Sequence, residues 1–226
     1  MTELSGTDEI RGALRSRLSV NGAAWLEEAL QRTAVRQDAI RALFPAAGRN
    51  CGRGALVHGT AAAPEGGLDD WTVDDGARAL LLARLPLRGR ELGDEVAGLY
   101  RHGDAAEKRG VLRGLSALPE EPELVRAALP LVRDALRSND TRLIAAAMGR
   151  FGARNLDAHT YRHGVLKCVF LGIPLGSVHG LEERADAELA RMLTDHARER
   201  AAAGREVPPD VWRVVNPNES NPLREA

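Results

Sequence analysis

Cysteine is scarce in this sequence, and long apolar runs are missing from it. The chain has 2 cysteines among 226 residues, Cys51 and Cys168. Two cysteines are too few for a disulfide framework and favour a reduced, intracellular compartment. No stretch approaches the roughly 18 consecutive apolar residues of a membrane span, and the start lacks the basic end and apolar centre of a signal peptide. We therefore predict a cytoplasmic protein that does not span a membrane.

An excess of charge of either sign is also missing. The 31 basic residues are balanced by 32 acidic ones. Because a nucleic-acid-binding domain normally carries a clear basic excess, we expect no nucleic-acid partner. Lysine is rare within the basic set, where only Lys108 and Lys167 are lysine and the other 29 residues are arginine. Lys167 is the more unusual of the two, because apolar residues surround it.

Strand signals are absent, and helical signals follow one another along the whole chain. There is no alternating β-branched run and no Asn-Gly hairpin turn. Apolar residues recur at three- and four-residue steps, which predicts an all-α protein of about nine to eleven helices. A helix over residues 21–44 should stop at Pro45. Four residues mark the starts of later helices by their capping or first-turn preferences: Thr72, Asp104, Pro122 and Asp140.

The order of these segments predicts a single domain over residues 1–215. It would consist of an N-terminal helix pair (1–45), a glycine-rich loop (46–71) and helical repeats (72–215). Short turns between helices from residue 104 onward favour an α-solenoid, a HEAT-like superhelix of antiparallel helix pairs, with a compact irregular bundle as the alternative. Trp212 should anchor a last short helix that Pro208 and Pro209 introduce. Residues 216–226 should form a mobile tail, because they have little to bury.

Lys167 is the first functional candidate, because residues 165–171 are apolar nearly all round a helical wheel. A lysine in a buried helix must pair with a carboxylate or reach a cleft, and we favour the cleft slightly. A single arginine-rich helix is expected over residues 181–204. A ligand site would then combine residues of both helices: His163, Lys167, Arg184, Arg191 and Asp195. The alternative is that the charges at 184–199 form a solvated or interhelical charge lattice.

Three weaker patterns have structural alternatives. Arg49 and Arg53 lie among glycines and could hold an anion, although their spacing fits neither a P-loop nor a dinucleotide fingerprint. His159 and His163 have the spacing of two metal ligands, with His179 or His196 as a third, but we favour no metal and no cofactor. Cys168 is expected to be a small buried hydrophobe rather than a nucleophile.

Several strings of the chain resemble the EboA family, the "metabolite traffic" proteins of the ebo gene clusters. The most specific are Leu-Lys-Cys-Val-Phe at 166–170 and Arg-Met-Leu-Thr-Asp-His-Ala-Arg-Glu-Arg at 191–200. Further strings lie at 25–26, 44–49, 99–109, 171–175, 180–185 and 208–213. At 149–151 the chain departs from the family, with Gly-Arg-Phe in place of the usual Asn-Pro-Tyr.

The resemblance implies an all-helical cytoplasmic protein without an assigned chemistry. It also implies neighbours encoded in the same cluster, among them a prenyltransferase-like membrane protein, and a role in moving secondary-metabolite precursors toward the periplasm. Two functions of different class follow. The favoured one is a non-enzymatic module that binds a small-molecule intermediate, partner proteins, or both. The other is an enzyme that uses Lys167 on a sugar-phosphate-like or carbonyl metabolite.

Overall fold

Helix dominates the computed structural model, which describes residues 6–57 and 67–215. Within these ranges there is no β-strand, only an isolated antiparallel bridge between Ala55 and Thr72. The all-α prediction is therefore confirmed. The thirteen α-helices of the described ranges are α1 (Gly6–Arg15), α2 (Val20–Val35), α3 (Ile40–Asn50), α4 (Val73–Ala83), α5 (Gly89–His102), α6 (Ala105–Gly114), α7 (Pro122–Arg137), α8 (Thr141–Ala147), α9 (Arg150–Asn155), α10 (Ala158–Leu171), α11 (Leu181–Arg184), α12 (Ala187–Ala202) and α13 (Trp212–Val215).

The helices outnumber the predicted nine to eleven because extended residues, among them Arg36, Gly149 and Asp186, divide expected helices. Arg36, with φ −131° and ψ 102°, separates α2 from the segment that leads into α3. Asp186 is also extended, and its carboxylate accepts from the Leu189 N–H at 2.9 Å, so it begins α12 rather than continuing α11. The predicted stop at Pro45 is wrong, since α3 runs through it to Asn50. A proline removes a single intrahelical hydrogen bond, which tertiary packing can offset.

Helices from α4 onward pack against the helix two positions later in the chain. One row contains α4, α6, α8 and α10, and the other contains α5, α7 and α9, while α1, α2 and α3 cover α4. Short connections force this alternation, because each helix must run back along its predecessor. The two rows are an observation, and a HEAT-like superhelix stays a prediction. No helix of the described ranges is long and apolar enough to cross a membrane.

Helix α4 is the centre of the core, with every residue from Val73 to Leu82 buried. It begins as predicted at Thr72, where a reciprocal capping box joins Thr72 and Asp75. Helix α6, which belongs to the same row, lies close against α4. An added Cβ at Gly114 of α6 would overlap the Leu82 side chain.

A network of ionised side chains lies inside this core. The Arg78 Nη1 donates to the Asp74 carboxylate at 2.6 Å, and these two side chains are 1% and 0% exposed. The Arg78 Nε donates to the Phe44 carbonyl of α3 at 3.1 Å. From α6, the Arg109 Nε donates to Asp75 at 2.9 Å. Burial raises the pKa of the Asp75 carboxyl, and Arg109 opposes the shift. The network thus joins α3, α4 and α6 through ion pairs whose carboxylates are fully buried.

The C-terminal segment docks through the predicted anchor and its neighbours. Pro209 begins a 3₁₀ turn that leads into α13. Trp212 is half-buried and packs against the core, and Val211 and Val214 are fully buried. The Asp210 carboxylate accepts from the Leu175 N–H at 2.7 Å, which ties the segment to the turn after α10. The predicted mobile tail at 216–226 and part of the predicted loop, residues 58–66, lie outside the described residues.

Removing one partner of the buried ion pair should cost far more than removing both. We expect Asp74→Leu to lower the free energy of unfolding by about 3–5 kcal/mol, because it leaves the Arg78 charge buried without its carboxylate. Adding Arg78→Met should recover most of the loss, since the pair is then replaced by apolar side chains. Urea unfolding of the single and double variants measures this difference. Equal losses in both would show that the pair is not the coupled unit described here.

Two glycine substitutions should have opposite effects on stability, because only one of the two glycines lies at a close contact between helices. In Gly152→Ala, the new Cβ would overlap the Ala147 carbonyl oxygen, which is backbone and cannot rotate away. We expect a loss of about 1–3 kcal/mol in the free energy of unfolding. The matched control is Gly98→Ala in α5, where a Cβ meets nothing within 4 Å and should stabilise by about 0.5–1 kcal/mol. Thermal unfolding measures both variants. Melting temperatures that change in the same direction would contradict this packing.

Candidate functional site

An open groove of about 700 Å³ lies where α7, α10 and α12 meet. We call it the α10 groove. Its volume falls within the roughly 300–1,000 Å³ of small-molecule sites. The residues that define it share an exposed or half-buried position along these three helices: Leu136, His163, Leu166, Lys167, Phe170 and His196.

The orientation of α10 explains why this groove has an apolar floor. Asp157 begins the helix, where hydrogen bonds from the Thr160 N–H and hydroxyl lower the pKa of Asp157 to about 2. The inner face of the helix is buried, but Phe170 is 72% exposed. The expectation that α10 is buried all round is therefore wrong on this face. Phe170 lines the groove together with Leu136 and Leu166, and a contiguous apolar patch of this kind can mark a binding site.

Lys167 uses its ammonium group to end α7. Its Nζ donates to the Leu136 and Ser138 carbonyls, each at 2.7 Å. The last carbonyls of a helix lack intrahelical donors and carry the negative end of the helix dipole, so a cation stabilises them. The side chain thus lines the groove while its charge is held at α7. Neither partner is the carboxylate that the structural alternative for Lys167 required.

His163 and His196 contribute imidazole rings to the groove. His163 is exposed on α10 and its ring lies 4.3 Å from that of His159. The His196 ring of α12 lies 6.3 Å from Phe170. Within the described ranges, the buried Nε2 of His196 has no hydrogen-bond partner. A buried polar atom without a partner costs free energy, and a ligand or water can satisfy it.

The structure places the other proposed ligand contacts elsewhere. Arg184 donates to the Ala153 and Leu156 carbonyls at the end of α9, and its guanidinium lies 4.0 Å from the Tyr161 ring centroid. Arg191 pairs with Glu188 and Asp195, each at 2.7 Å, on the exposed side of α12. His163 and Lys167 therefore share the groove, whereas Arg184, Arg191 and Asp195 do not line it.

The weaker patterns of the sequence are placed as follows. Arg49 is exposed in the last turn of α3, and the Arg53 side chain crosses Gly48 of the same helix. An anion site there stays a prediction. Nowhere in the described ranges do three or more His, Cys, Asp or Glu side chains form a group that could hold a metal ion. Burial raises the pKa of the Cys168 thiol to about 12, so this side chain stays a neutral thiol near pH 7.

Sequence reasoning singled out His163 and Lys167 but missed the roles of Phe170 and His196 in the same groove. The wheel of α10 does put His159, His163, Leu166 and Phe170 on one face. That periodicity shows a shared face without showing that neighbouring helices leave it uncovered. Since α7 and α12 decide which face is open, the signal for the groove lies in tertiary packing.

The capping role of Lys167 predicts a stability effect for its removal. Lys167→Met should lower the free energy of unfolding by about 1–3 kcal/mol, because two carbonyls lose a charged donor. The control is Lys108→Met, where the ammonium lies 5.3 Å from the Tyr100 ring centroid and the expected loss is about 0.5–1 kcal/mol. Urea unfolding compares the two. A Lys167→Met protein as stable as wild type would show that the ammonium contributes nothing at α7.

Comparison with known proteins gives one family. A family model described as "Metabolite traffic protein EboA" matches residues 7–216, nearly the whole chain. Comparison with curated proteins and with solved structures finds no match. The matched segment includes all three helices of the α10 groove, so the groove lies within the family's shared region. On this match the chain belongs to the EboA family.

Proposed function

We propose that this protein is a non-enzymatic binding module that holds a small-molecule intermediate in the α10 groove. The family description connects the chain with metabolite traffic. The observation that supports binding of a small molecule is the groove itself. It combines an exposed Phe170, a buried His196 Nε2 without a partner and a volume of about 700 Å³. Apolar walls with few polar groups are typical of ligand sites.

The lining of the groove indicates the chemistry of its ligand. Leu136, Leu166 and Phe170 offer an apolar and aromatic surface, which suits a flat apolar body. Three cationic side chains, from Arg133, Arg137 and Lys167, face a single carboxylate, Glu199. The excess of positive charge favours a ligand with an electron-rich or anionic substituent. The His196 Nε2 would hydrogen-bond that substituent.

Binding without turnover fits the side chains better than catalysis through Lys167. The Lys167 ammonium already donates to two carbonyls, and it would have to leave both to act as a base or a Schiff-base amine. The neighbouring thiol of Cys168 is fully buried and has a raised pKa. In this proposal the protein needs no cofactor.

The proposal includes partner proteins of the same gene cluster. In this proposal the protein acts in the cytoplasm and passes its ligand to partners. One candidate partner is a membrane prenyltransferase-like protein. Two rows of packed helices provide a long surface for such contacts, as a HEAT-like superhelix would. The near balance of 31 basic and 32 acidic residues favours protein partners over nucleic acid.

Metabolite capture tests the binding function directly. The purified protein is incubated with a small-molecule extract of a producing cell, washed, and analysed by untargeted mass spectrometry. We expect a specific compound with an aromatic body to be retained, and Phe170→Ala to reduce its retention at least about tenfold through lost apolar contact.

The matched control is Val20→Ala, which removes an apolar side chain that is 86% exposed and outside the groove. It should retain the compound as the wild type does. Retention that survives Phe170→Ala would place the ligand elsewhere. Conversion of the captured compound into a product by the protein alone would contradict the non-enzymatic proposal.

A further inference from the structure

A second cavity, of about 410 Å³, lies between α6, α8 and the turn after α10, and Arg109 forms part of its wall. It shares no lining residue with the α10 groove. Gly172 makes the turn possible, because its φ of 71° is left-handed and ends α10 abruptly. The groups that matter for its chemistry are three arginines, two hydroxyl side chains and an apolar wall residue: Arg109, Arg113, Arg142, Thr72, Ser177 and Ile173.

Each of the three guanidinium groups is held in place by contacts within the protein. Arg109 donates through Nε to Asp75 and through Nη2 to the Thr72 hydroxyl. Arg142 donates through Nε and Nη2 to Asp140. Arg113 donates through Nη2 to Asp70, and its Nε is buried without a partner in the described part of the chain. The protein thus fixes these side chains and leaves donors unused.

The cavity is lined by three arginines and one carboxylate, and each arginine also pairs with a carboxylate of the protein. Arg109, Arg113 and Arg142 line the cavity, and Asp70 is the one carboxylate among its lining residues. The carboxylates that hold Arg109 in place lie behind the wall, since Asp74 and Asp75 are 0% exposed. Asp140, the partner of Arg142, does not line the cavity. Guanidinium groups held in advance lose little conformational entropy when they bind an anion.

We infer that this cavity binds an organic phosphate. Three guanidinium groups around one space match the three acceptor oxygens and the charge of about −1.5 to −2 of a phosphate monoester near neutral pH. The Thr72 and Ser177 hydroxyls already donate to Asp74 and to the Pro174 carbonyl, so the guanidinium groups are the donors for such a ligand. Leu171, Ile173 and Pro174 form an apolar wall for the organic part of the ligand. This site does not depend on the function proposed for the α10 groove.

Three related probes test the assignment by isothermal titration calorimetry at low ionic strength. Phenyl phosphate carries the expected dianion, benzoate carries one negative charge on the same ring, and benzyl alcohol is neutral. We expect phenyl phosphate to bind at least about tenfold tighter than benzoate, with no measurable binding of benzyl alcohol. The affinity for phenyl phosphate should fall as salt is added, since ions screen exposed charges. Benzoate or benzyl alcohol binding as tightly as phenyl phosphate would overturn the assignment.

Two arginine variants locate the bound phosphate, and a third serves as the control. Arg142→Gln removes an exposed cation of the cavity and should weaken phenyl phosphate about tenfold. Arg113→Lys keeps the charge beside Asp70 but loses the guanidinium fork, and it should weaken binding similarly. Arg154→Gln removes a comparable exposed arginine, paired with Glu120 at 3.1 Å, which does not line the cavity. The proposal fails if Arg154→Gln weakens binding as much as Arg142→Gln, or if neither cavity variant weakens it.

Discussion

The burial of Asp74, Asp75 and Arg78 constrains how every helix around α4 can pack. Charges taken out of water cost several kcal/mol each unless partners lie within hydrogen-bond distance. Arg78 therefore has to meet Asp74 and the Phe44 carbonyl, and Asp75 has to meet Arg109. These contacts set the positions of α3 and α6 relative to α4. We expect these contacts to favour one register of α3 and α6 against α4.

Two cations that the sequence marked as ligand contacts serve as helix terminators. Lys167 holds the end of α7, and Arg184 holds the end of α9 while its guanidinium lies over the Tyr161 ring. Both donate to carbonyl oxygens at the ends of α7 and α9, which have no donor within those helices. This use of cations explains how short, closely spaced helices can end within the protein.

The α10 groove and the arginine-lined cavity both lie at the ends of helices. The α10 groove lies where α7 ends against Lys167, and the arginine-lined cavity lies where α10 ends at Gly172. At such places the backbone turns away, so neighbouring helices cannot close over the space. The groove combines apolar side chains with cations, whereas three arginines stand out in the second cavity. The two spaces thus differ in their chemistry, and they lie along α10 and at its end.

Local signals in the sequence were enough to predict the all-α class and the helix starts at Thr72, Asp104, Pro122 and Asp140. Capping and helical periodicity depend on residues within about four positions, so the sequence itself contains them. The partners of Lys167 and Arg184 could not be predicted in this way, because they lie 28 to 31 positions away along the chain. The sequence therefore determined which segments are helices and which side chains are unusual. Only the tertiary structure decided that Phe170 is uncovered and that Arg109, Arg113 and Arg142 line one cavity, because both depend on which distant helices become neighbours.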